Sequence, residues 1–383
     1  MAASALAPRQ TPGGELLCLS HLRWDFVFQR PQQLMTRFAR SGRVFFFEEP
    51  VAHDGAPALE LRPRPLPGGG HVLVAVPRLP QGLPLAEAEA LQRELLDTLV
   101  AEQGLADYVL WYYTPMALGF SSHLRPAVTV YDCMDELSLF RGASPRLAER
   151  EAELLARADL VFTGGQSLYE AKRGRHPRVH CLPSSIDREH FARARGPVAE
   201  PADQAPIPRP RLGYFGVIDE RIDLELLAGL AAARPDWQIV MLGPLAKLDA
   251  AALPRAANLH WLGMKDYREL PAYLAGWDVA LMPFAQNEST RFISPTKTPE
   301  YLAGGKPVVS TPVRDVVRPY GELGLVEIAA DAAGFVAAVE RLLARGEAER
   351  AAWLARADEQ LRGSSWDATQ RRMAELVREA ADV

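Results

Sequence analysis

The sequence is poor in cysteine and contains no long hydrophobic run. Its 383 residues include 3 cysteines, and the spacing of Cys18, Cys133 and Cys181 matches no metal motif. We therefore expect neither a disulfide framework nor a zinc site, and a reducing cytoplasm is the simplest setting. No run approaches the roughly 20 apolar residues of a membrane span, and residues 1–15 lack the apolar core of a secretory signal. The sequence predicts a cytoplasmic protein, at most peripheral to a membrane.

An excess of charge of one sign is also lacking. The chain has 43 Lys and Arg against 48 Asp and Glu, a formal net charge of -5, and neither half of it is basic. Nucleic acid is therefore not expected as the main partner. Hydrophobic residues make up 48% and charged residues 24%, which excludes a disordered or collagen-like chain.

Short apolar runs alternate with helical patterns along the whole chain. Continuous apolar strands joined by helices are typical of parallel sheets covered on both faces. The Pro- and Gly-rich stretch Val51–Gly70 predicts a mobile loop. Before residue 196 the predicted strands are Leu16–Ser20, Val44–Phe47, Val72–Val76, Tyr108–Tyr113, Val128–Tyr131, Leu160–Thr163 and Val179–Leu182, and the helices are Arg30–Ala39, Leu85–Ala101 and Pro145–Arg157.

Residues 197–211 carry five prolines without periodicity and predict an interdomain linker. The alternating pattern then restarts. It predicts the strands Leu212–Phe215, Ile239–Leu242, Leu259–Leu262, Val279–Met282 and Pro307–Ser310, with helices at Leu224–Ala233, Tyr267–Ala275, Glu300–Ala303 and Trp366–Ala381. We predict two doubly wound α/β domains, 15–196 and 212–364, facing a cleft. A flexible segment, 1–14, precedes them, and a last helix, 365–383, is expected to pack back on the first domain.

The segment Asn287–Ser310 is the most informative part of the sequence. A helix can start at Ser294-Pro295, although Pro299 is then awkward, or at Thr298-Pro299. Either start places free amides and partial positive charge beside Arg291 and Lys297, a combination that suits a phosphate or diphosphate. Glu300 in the first turn offers an acceptor for a ribose hydroxyl pair. The alternative interpretation is a capped surface helix with a dipole-favoured glutamate.

These residues resemble the donor-binding motif of group 1 glycosyltransferases with the GT-B fold. The resemblance rests on Pro295, Lys297, Glu300-Tyr301-Leu302-Ala303 and Gly305-Lys306-Pro307-Val308-Val309. Three further stretches resemble the bacterial polysaccharide-assembly branch of that group: Ser20–Gln32, Tyr131–Glu136 and Gly213–Gly216. The resemblance covers nearly the full chain. It implies two Rossmann-like domains, with a nucleotide-sugar, most often a UDP-sugar, bound in the C-terminal one.

The same resemblance implies roles for single residues of the donor site. Glu300 is similar to the ribose-binding glutamate, and Lys297 and Arg221 to diphosphate contacts. Arg291 is a further cation near in sequence. Gly216 closes the first strand of the donor domain, where the missing side chain lets phosphate approach the backbone.

Met264 and Lys265 resemble the edge at which the nucleobase stacks, since strand-end loops are where such folds bind ligands. Two positions depart from the family pattern. Phe292 stands where the family has the first of two glutamates separated by seven residues, and Val217 stands where an arginine usually follows the glycine.

The N-terminal domain is expected to hold the acceptor. His21, Asp25 and Arg30 lie in the loop after the first strand. His21 or Asp25 would act as a base and Arg30 would contact the donor phosphates, unless this loop is only structural. Asp132 and Asp135 follow another strand, where they would orient acceptor hydroxyls or cap the next helix.

The sequence therefore predicts a nucleotide-sugar glycosyltransferase of bacterial polysaccharide or glycoconjugate synthesis. Its acceptor would be a glycan, a lipid-linked precursor or a small molecule. No Asp-x-Asp occurs, so we expect metal independence. The resemblance to the family implies a retaining mechanism, with the nucleotide-sugar as substrate and no cofactor. The basic run 172–178 is a solvated face or a weak peripheral membrane contact. One alternative is a nucleotide-sugar epimerase of the same fold. The other is a degenerate, non-catalytic transferase that acts as a partner subunit, and Phe292 in place of the family's glutamate favours this second alternative.

Overall fold

The computed structural model describes residues 14–382. The predicted flexible N-terminus, 1–14, lies outside the described residues except for Gly14. Within the described range, two separate sheets each end at one central cleft.

The first sheet has nine strands within residues 14–382 and follows the order β3-β5-β2-β1-β6-β7-β8-β9, with β4 pairing antiparallel to β5. The other strand pairs are parallel. Its strands are β1 (Glu15–Leu19), β2 (Arg43–Phe47), β3 (Val51–Ala52), β4 (Ala58–Pro65), β5 (His71–Leu79), β6 (Val109–Tyr112), β7 (Val128–Cys133), β8 (Leu160–Thr163) and β9 (Val179–Cys181). The helices are α1 (Arg30–Phe38), α2 (Leu85–Gln103), α3 (Leu118–Ser121), α4 (Leu147–Arg157), α5 (Gln166–Lys172) and α6 (Arg188–Ala192).

The predicted mobile loop Val51–Gly70 is wrong, because half of it forms the strands β3 and β4. β4 and β5 make a hairpin whose turn is Leu66–Gly70. The alternation of apolar and charged side chains explains why this segment forms β4. Leu59 and Leu61 pack on the apolar cluster of the first sheet, while Glu60 points away from that cluster and pairs with two arginines. The prolines are tolerated because β4 is an edge strand.

The second sheet has six parallel strands among the described residues, in the order β12-β11-β10-β13-β14-β15. Its strands are β10 (Arg211–Phe215), β11 (Gln238–Leu242), β12 (Leu259–Gly263), β13 (Val279–Met282), β14 (Val308–Ser310) and β15 (Val326–Ile328). The helices are α7 (Leu224–Ala233), α8 (Leu270–Ala275), α9 (Lys297–Ala303), α10 (Arg314–Val316), α11 (Ala332–Ala344), α12 (Glu347–Leu361) and α13 (Trp366–Ala381).

The chain enters the second domain before residue 197, where the predicted linker 197–211 begins. Ile186, Phe191 and Ile207 already belong to the core of the second sheet. Gln204 is fully buried, accepts a hydrogen bond from Trp277 Nε1 at 2.9 Å and donates to the carbonyl of Tyr273 at 3.0 Å. The Pro-rich stretch is thus irregular but packed, since its buried polar group is satisfied.

The last helix, α13, returns to the first domain. Trp366, Met373, Leu376 and Val377 join the apolar cluster on one face of the first sheet. At its start Asp367 pairs with two arginines, one within α1 and one just after it. The two domains are therefore tied together by the crossing at α6 and by this returning helix.

Candidate nucleotide-binding cleft

A cavity of about 850 Å³ lies between the two domains and is lined by residues of both. On the second domain its wall is the set of loops that follow β10, β11 and β12, together with the start of α9. The carboxyl ends of parallel strands are where α/β sheets bind ligands. The cavity is therefore the candidate functional site.

Two glycines let the backbone of the second domain pack closely at the floor of this cleft. Gly216 follows β10 with φ +145, and Gly243 follows β11 with φ +144. A Cβ on Gly216 would lie 2.8 Å from Lys297 Nζ, and one on Gly243 would lie 2.7 Å from the carbonyl carbon of Gly216. Because L side chains rarely adopt such φ values and have no room here, glycine is required at both positions.

Helix α9 begins at Lys297, between the two starts that the sequence suggested. Thr296 precedes it without a side-chain capping bond. Pro299 is compatible with this start because the first amides of a helix have no intrahelical carbonyl partner. The first turn therefore presents Lys297, and one turn later Glu300, to the cleft.

Lys297 differs from the other cations of the cleft. Among the described residues no carboxylate lies within 4.0 Å of its ammonium, whose Nζ is 5.7 Å from the ring centroid of Tyr214. Desolvation lowers the pKa of Lys297, against the opposing effect of Glu300. The other cleft cations each pair with a carboxylate: Arg37 and Arg40 with Asp367, Arg64 with Asp25, Arg221 with Asp219, Lys265 with Asp203 and Arg268 with Asp266. Lys297 is thus a desolvated charge without a counter-ion in the described part of the chain.

Glu300 lines the cleft beside Lys297. Desolvation raises the pKa of the Glu300 carboxyl to about 8, and the positive charge of Lys297 acts in the opposite direction. This carboxyl group can exchange hydrogen bonds with hydroxyl groups of a ligand.

Arg221 is fixed from both domains. Its Nη2 and Nε donate to the carboxylate of Asp219 at 2.7 and 2.9 Å, and its Cζ lies 5.5 Å from the ring centroid of Phe140 on the first domain. Asp135 of the first domain faces the same cations. Burial raises the pKa of the Asp135 carboxyl, while Arg221 and Lys297 lower it. The structure thus brings together Gly216, Arg221, Lys297 and Glu300 on the wall of the cleft, whereas Asp135 is near these cations but outside the lining of the cavity.

Met264 and Lys265 both line the cleft, but they differ in their environment. Met264 is 50% exposed, whereas the ammonium of Lys265 forms an ion pair, with Nζ 2.6 Å from Asp203 Oδ2. Sequence reasoning missed Tyr267, which lines the cleft and stacks on His190 with ring centroids 4.4 Å apart. The hydroxyl of Tyr267 accepts a hydrogen bond from Gln33 of the first domain at 3.1 Å. Nothing in the sequence pattern distinguishes this tyrosine from an ordinary helix-start residue.

The prediction that Arg291 contributes to the diphosphate site is wrong. Arg291 lines a separate pocket of about 390 Å³ and not the central cleft. It is exposed, lies 3.5 Å from Glu288 and rests 5.2 Å from the ring centroid of Phe292. Proximity in sequence is misleading here because Arg291 and Lys297 line two different pockets.

The prediction of Arg30 and Asp132 as acceptor-site residues is also wrong. Their exposed fractions are 1% and 0%, and neither lines the cleft. Arg30 donates from Nη2 and Nε to Asp132 at 2.8 and 3.0 Å, and from Nη1 to the carbonyl of Leu182 at 2.8 Å. The pair joins the start of α1 to β7, so it is a buried structural ion pair.

The other two acceptor candidates lie in different environments. Asp25 is exposed, lines the cleft and accepts from Arg64 Nε at 3.0 Å. His21 does not line the cleft, and its Nδ1 is buried without a hydrogen-bond partner in the described part of the protein. Desolvation lowers the pKa of His21 to about 4, so its ring is neutral near pH 7.

Within residues 14–382, no group of three or more His, Cys, Asp or Glu is arranged to hold a metal ion. Over the same range, no helix combines the length and the apolar character needed to cross a membrane.

Comparison with known proteins is consistent with this geometry. Residues 209–345 match the model of the family described as glycosyl transferases group 1. A putative teichuronic acid biosynthesis glycosyltransferase of Bacillus subtilis is 29% identical over 223 residues, which cover 53% of this chain and 55% of that protein. The match thus spans about half the length of the curated relative.

Solved structures resemble the whole chain. A sucrose-phosphate synthase from Thermosynechococcus elongatus has a TM-score of 0.71 at 17% identity, covering 95% of this chain and 98% of that one. A trehalose-6-phosphate structure from E. coli bound with UDP-2-fluoro glucose has a TM-score of 0.69 at 14% identity, covering 95% and 99%. At these identities the likeness shows the fold, which is GT-B as predicted. The chain therefore has a GT-B architecture, within which residues 209–345 match the group 1 glycosyltransferase model.

The proximity of Lys297 and Glu300 predicts a coupled titration. In Lys297→Met the pKa of Glu300 should rise above its value of about 8, because the positive charge that favours the carboxylate is lost. The measurement is the carboxyl C=O infrared band followed through pH 6–10, with Glu300→Gln to assign it. Arg291→Met, which removes a cation outside the cleft, should leave the band unchanged. An unaltered Glu300 titration in Lys297→Met would contradict this arrangement.

The buried pair predicts a stability effect for Arg30→Met. The Asp132 carboxylate would be left buried and unpaired, so the free energy of unfolding should fall by about 3–5 kcal/mol. The double variant Arg30→Met/Asp132→Asn should lose less than the two single losses added together. Urea denaturation measures both effects. A loss below about 1 kcal/mol in Arg30→Met would show that the pair is not structural.

Proposed function

We propose that this protein is a glycosyltransferase that moves a sugar from a nucleotide-sugar donor to an acceptor hydroxyl. The observation that carries the proposal is Lys297, whose desolvated ammonium has no carboxylate partner in the described chain and lies against Gly216 in an interdomain cleft. A diphosphate supplies the missing negative charge. The group 1 glycosyltransferase domain over residues 209–345 supports the same conclusion.

The chemistry requires positive charge where the donor breaks. As the bond between the sugar carbon and the diphosphate oxygen lengthens, negative charge grows on the leaving nucleoside diphosphate. Lys297 and the side chain of Arg221 stabilise that charge most in the transition state. A charge-assisted hydrogen bond contributes about 1.5–3 kcal/mol, so loss of Lys297 should slow transfer by about 10²-fold.

Glu300 is the residue proposed for the ribose hydroxyls, and Met264 for the nucleobase edge. On the acceptor side we propose Asp25, which lines the cleft, and Asp135, whose pKa burial raises against the opposing effect of the nearby donor-site cations Arg221 and Lys297. Closure of the two domains around both substrates would exclude water and limit hydrolysis of the donor.

Metal independence and retention of configuration also belong to this proposal. Lys297 and Arg221 take the place at the diphosphate that a divalent cation has in metal-dependent transferases. Unchanged transfer in the presence of EDTA supports metal independence, and the anomeric configuration of the product decides retention. No cofactor beyond the donor is proposed.

The donor base and the cellular role are proposals by similarity. The E. coli neighbour is bound with UDP-2-fluoro glucose, which favours a UDP-sugar. The B. subtilis relative is named for teichuronic acid biosynthesis, which favours a cell-surface polysaccharide, with a glycan or lipid-linked acceptor. A peripheral membrane contact by the basic run 172–178 has less support, because Lys172 is 2% exposed and pairs with Glu151 and Glu136.

A calorimetric titration with UDP, GDP, ADP and dTDP tests the donor site. We expect saturable binding of one nucleotide, and an affinity about 10–100-fold weaker in Glu300→Ala, because the ribose hydroxyls lose a hydrogen-bonding partner. Glu288→Ala removes an exposed glutamate outside the central cleft and should bind like the wild type. If no nucleotide binds at millimolar concentration, the donor site is wrong and a role as a non-catalytic partner subunit takes its place.

Mass spectrometry of the donor incubated without acceptor distinguishes the rival enzyme class. A transferase leaves the nucleotide-sugar intact or hydrolyses it slowly, whereas an epimerase converts its sugar to an isomer.

A further inference from the structure

The start of helix α5 on the first domain is held by a side chain of the second domain. Asp315 accepts a hydrogen bond from the backbone amide of Ser167, with Oδ1 at 3.0 Å from the nitrogen. Asp315 is 7% exposed, and the neighbouring Arg314 pairs with Glu170 of α5. This contact therefore buries a carboxylate at the domain interface against a partner from the opposite domain.

Gly165, which precedes α5, allows this close contact because it has no side chain. An added Cβ would overlap the Asp315 carboxylate and would lie 2.5 Å from Cβ of Ser294. The φ of Gly165 is -168, an extended value that any residue adopts. Space, and not backbone conformation, therefore requires glycine here.

Phe292 makes a second contact between the same two domains. It is partly buried and packs against the apolar cluster of the first domain. This is the position at which the sequence departs from the glutamate of the family pattern. In this chain the side chain at 292 is used for domain contact.

Both contacts surround the segment that leads into α9. Ser294 is three residues before Lys297, and Thr296 supplies no side-chain cap to the helix. The start of α9 is therefore not fixed by its own sequence, whereas Phe292 and Ser294 are fixed against the first domain.

We infer that Phe292 and Asp315 are positioning residues, through which α5 of the first domain holds Lys297 in place for the donor diphosphate. The inference rests on the proposed function, since it assigns the support of the same donor site. It links nucleotide affinity to the arrangement of the two domains, because a change at α5 moves the segment that carries Lys297.

A pair of glycine variants at the two ends of α5 tests this inference with UDP as the probe. Gly165→Ala should raise the dissociation constant for UDP about three- to tenfold, although Gly165 belongs to the first domain and lines no part of the cleft. Gly174→Ala is the matched control, because a Cβ there meets nothing within 4 Å and should leave the affinity unchanged.

A double-mutant cycle shows whether the effect passes through Lys297. In the Lys297→Met background, Gly165→Ala should change the UDP affinity by less than about twofold, because the group that it displaces is gone. A merely structural effect of Gly165→Ala would be the same in both backgrounds. Asp315→Ala provides a second route if Gly165→Ala does not fold, and it should show the same dependence on Lys297.

The outcomes separate this inference from the proposed function. Wild-type affinity in both Gly165→Ala and Asp315→Ala overturns the positioning role but leaves the donor site intact. Equal losses in the wild-type and Lys297→Met backgrounds also overturn it. Absence of UDP binding by the wild type, with no other nucleoside diphosphate bound, overturns the donor site itself and the inference with it.

Discussion

An ammonium group with no ion-pair partner within 4.0 Å in the described chain, held where two mostly parallel sheets end, is the constraint on which the site depends. Lys297 of α9 reaches this position because Gly216, at the end of β10, has no side chain. Gly243, at the end of β11, in turn leaves room for the backbone of Gly216. Desolvation makes the isolated charge costly, and an anionic ligand relieves that cost. The raised pKa of Glu300 has the same origin, because both groups share one desolvated wall of the cleft.

Several other buried charged side chains in the molecule form ion pairs, in contrast to Lys297. Arg30 and Asp132 are more deeply buried than Lys297, but they satisfy each other and connect α1 to β7. Lys172 is likewise neutralised by Glu136 and Glu151. Burial alone therefore does not mark a functional cation. The distinguishing feature of Lys297 is the combination of desolvation, access to the cleft and a missing carboxylate among the described residues.

The fold was largely predictable from the sequence, whereas the pairing of charges was not. Continuous apolar strands such as β1 and β13 can be predicted from the sequence, because each is buried on both faces and therefore contains an unbroken apolar run. The hairpin at 58–79 was missed because prolines and glycines suggested a loop, although alternating Leu59 and Leu61 fit an edge strand. Glu300 and Lys297 were found through their family motif. Arg30 and Asp132 were misplaced because their partnership spans 102 residues of sequence, and Arg291 because a sequence neighbour need not share a cavity.

The most direct test compares UDP with uridine on the wild type and on Lys297→Met by calorimetry. The account predicts that the substitution weakens UDP binding by about 10–100-fold and leaves the affinity for uridine unchanged, because uridine has no diphosphate for Lys297 to contact. Equal weakening of both ligands, or no weakening of UDP, would contradict the assignment of Lys297 as the diphosphate-binding cation.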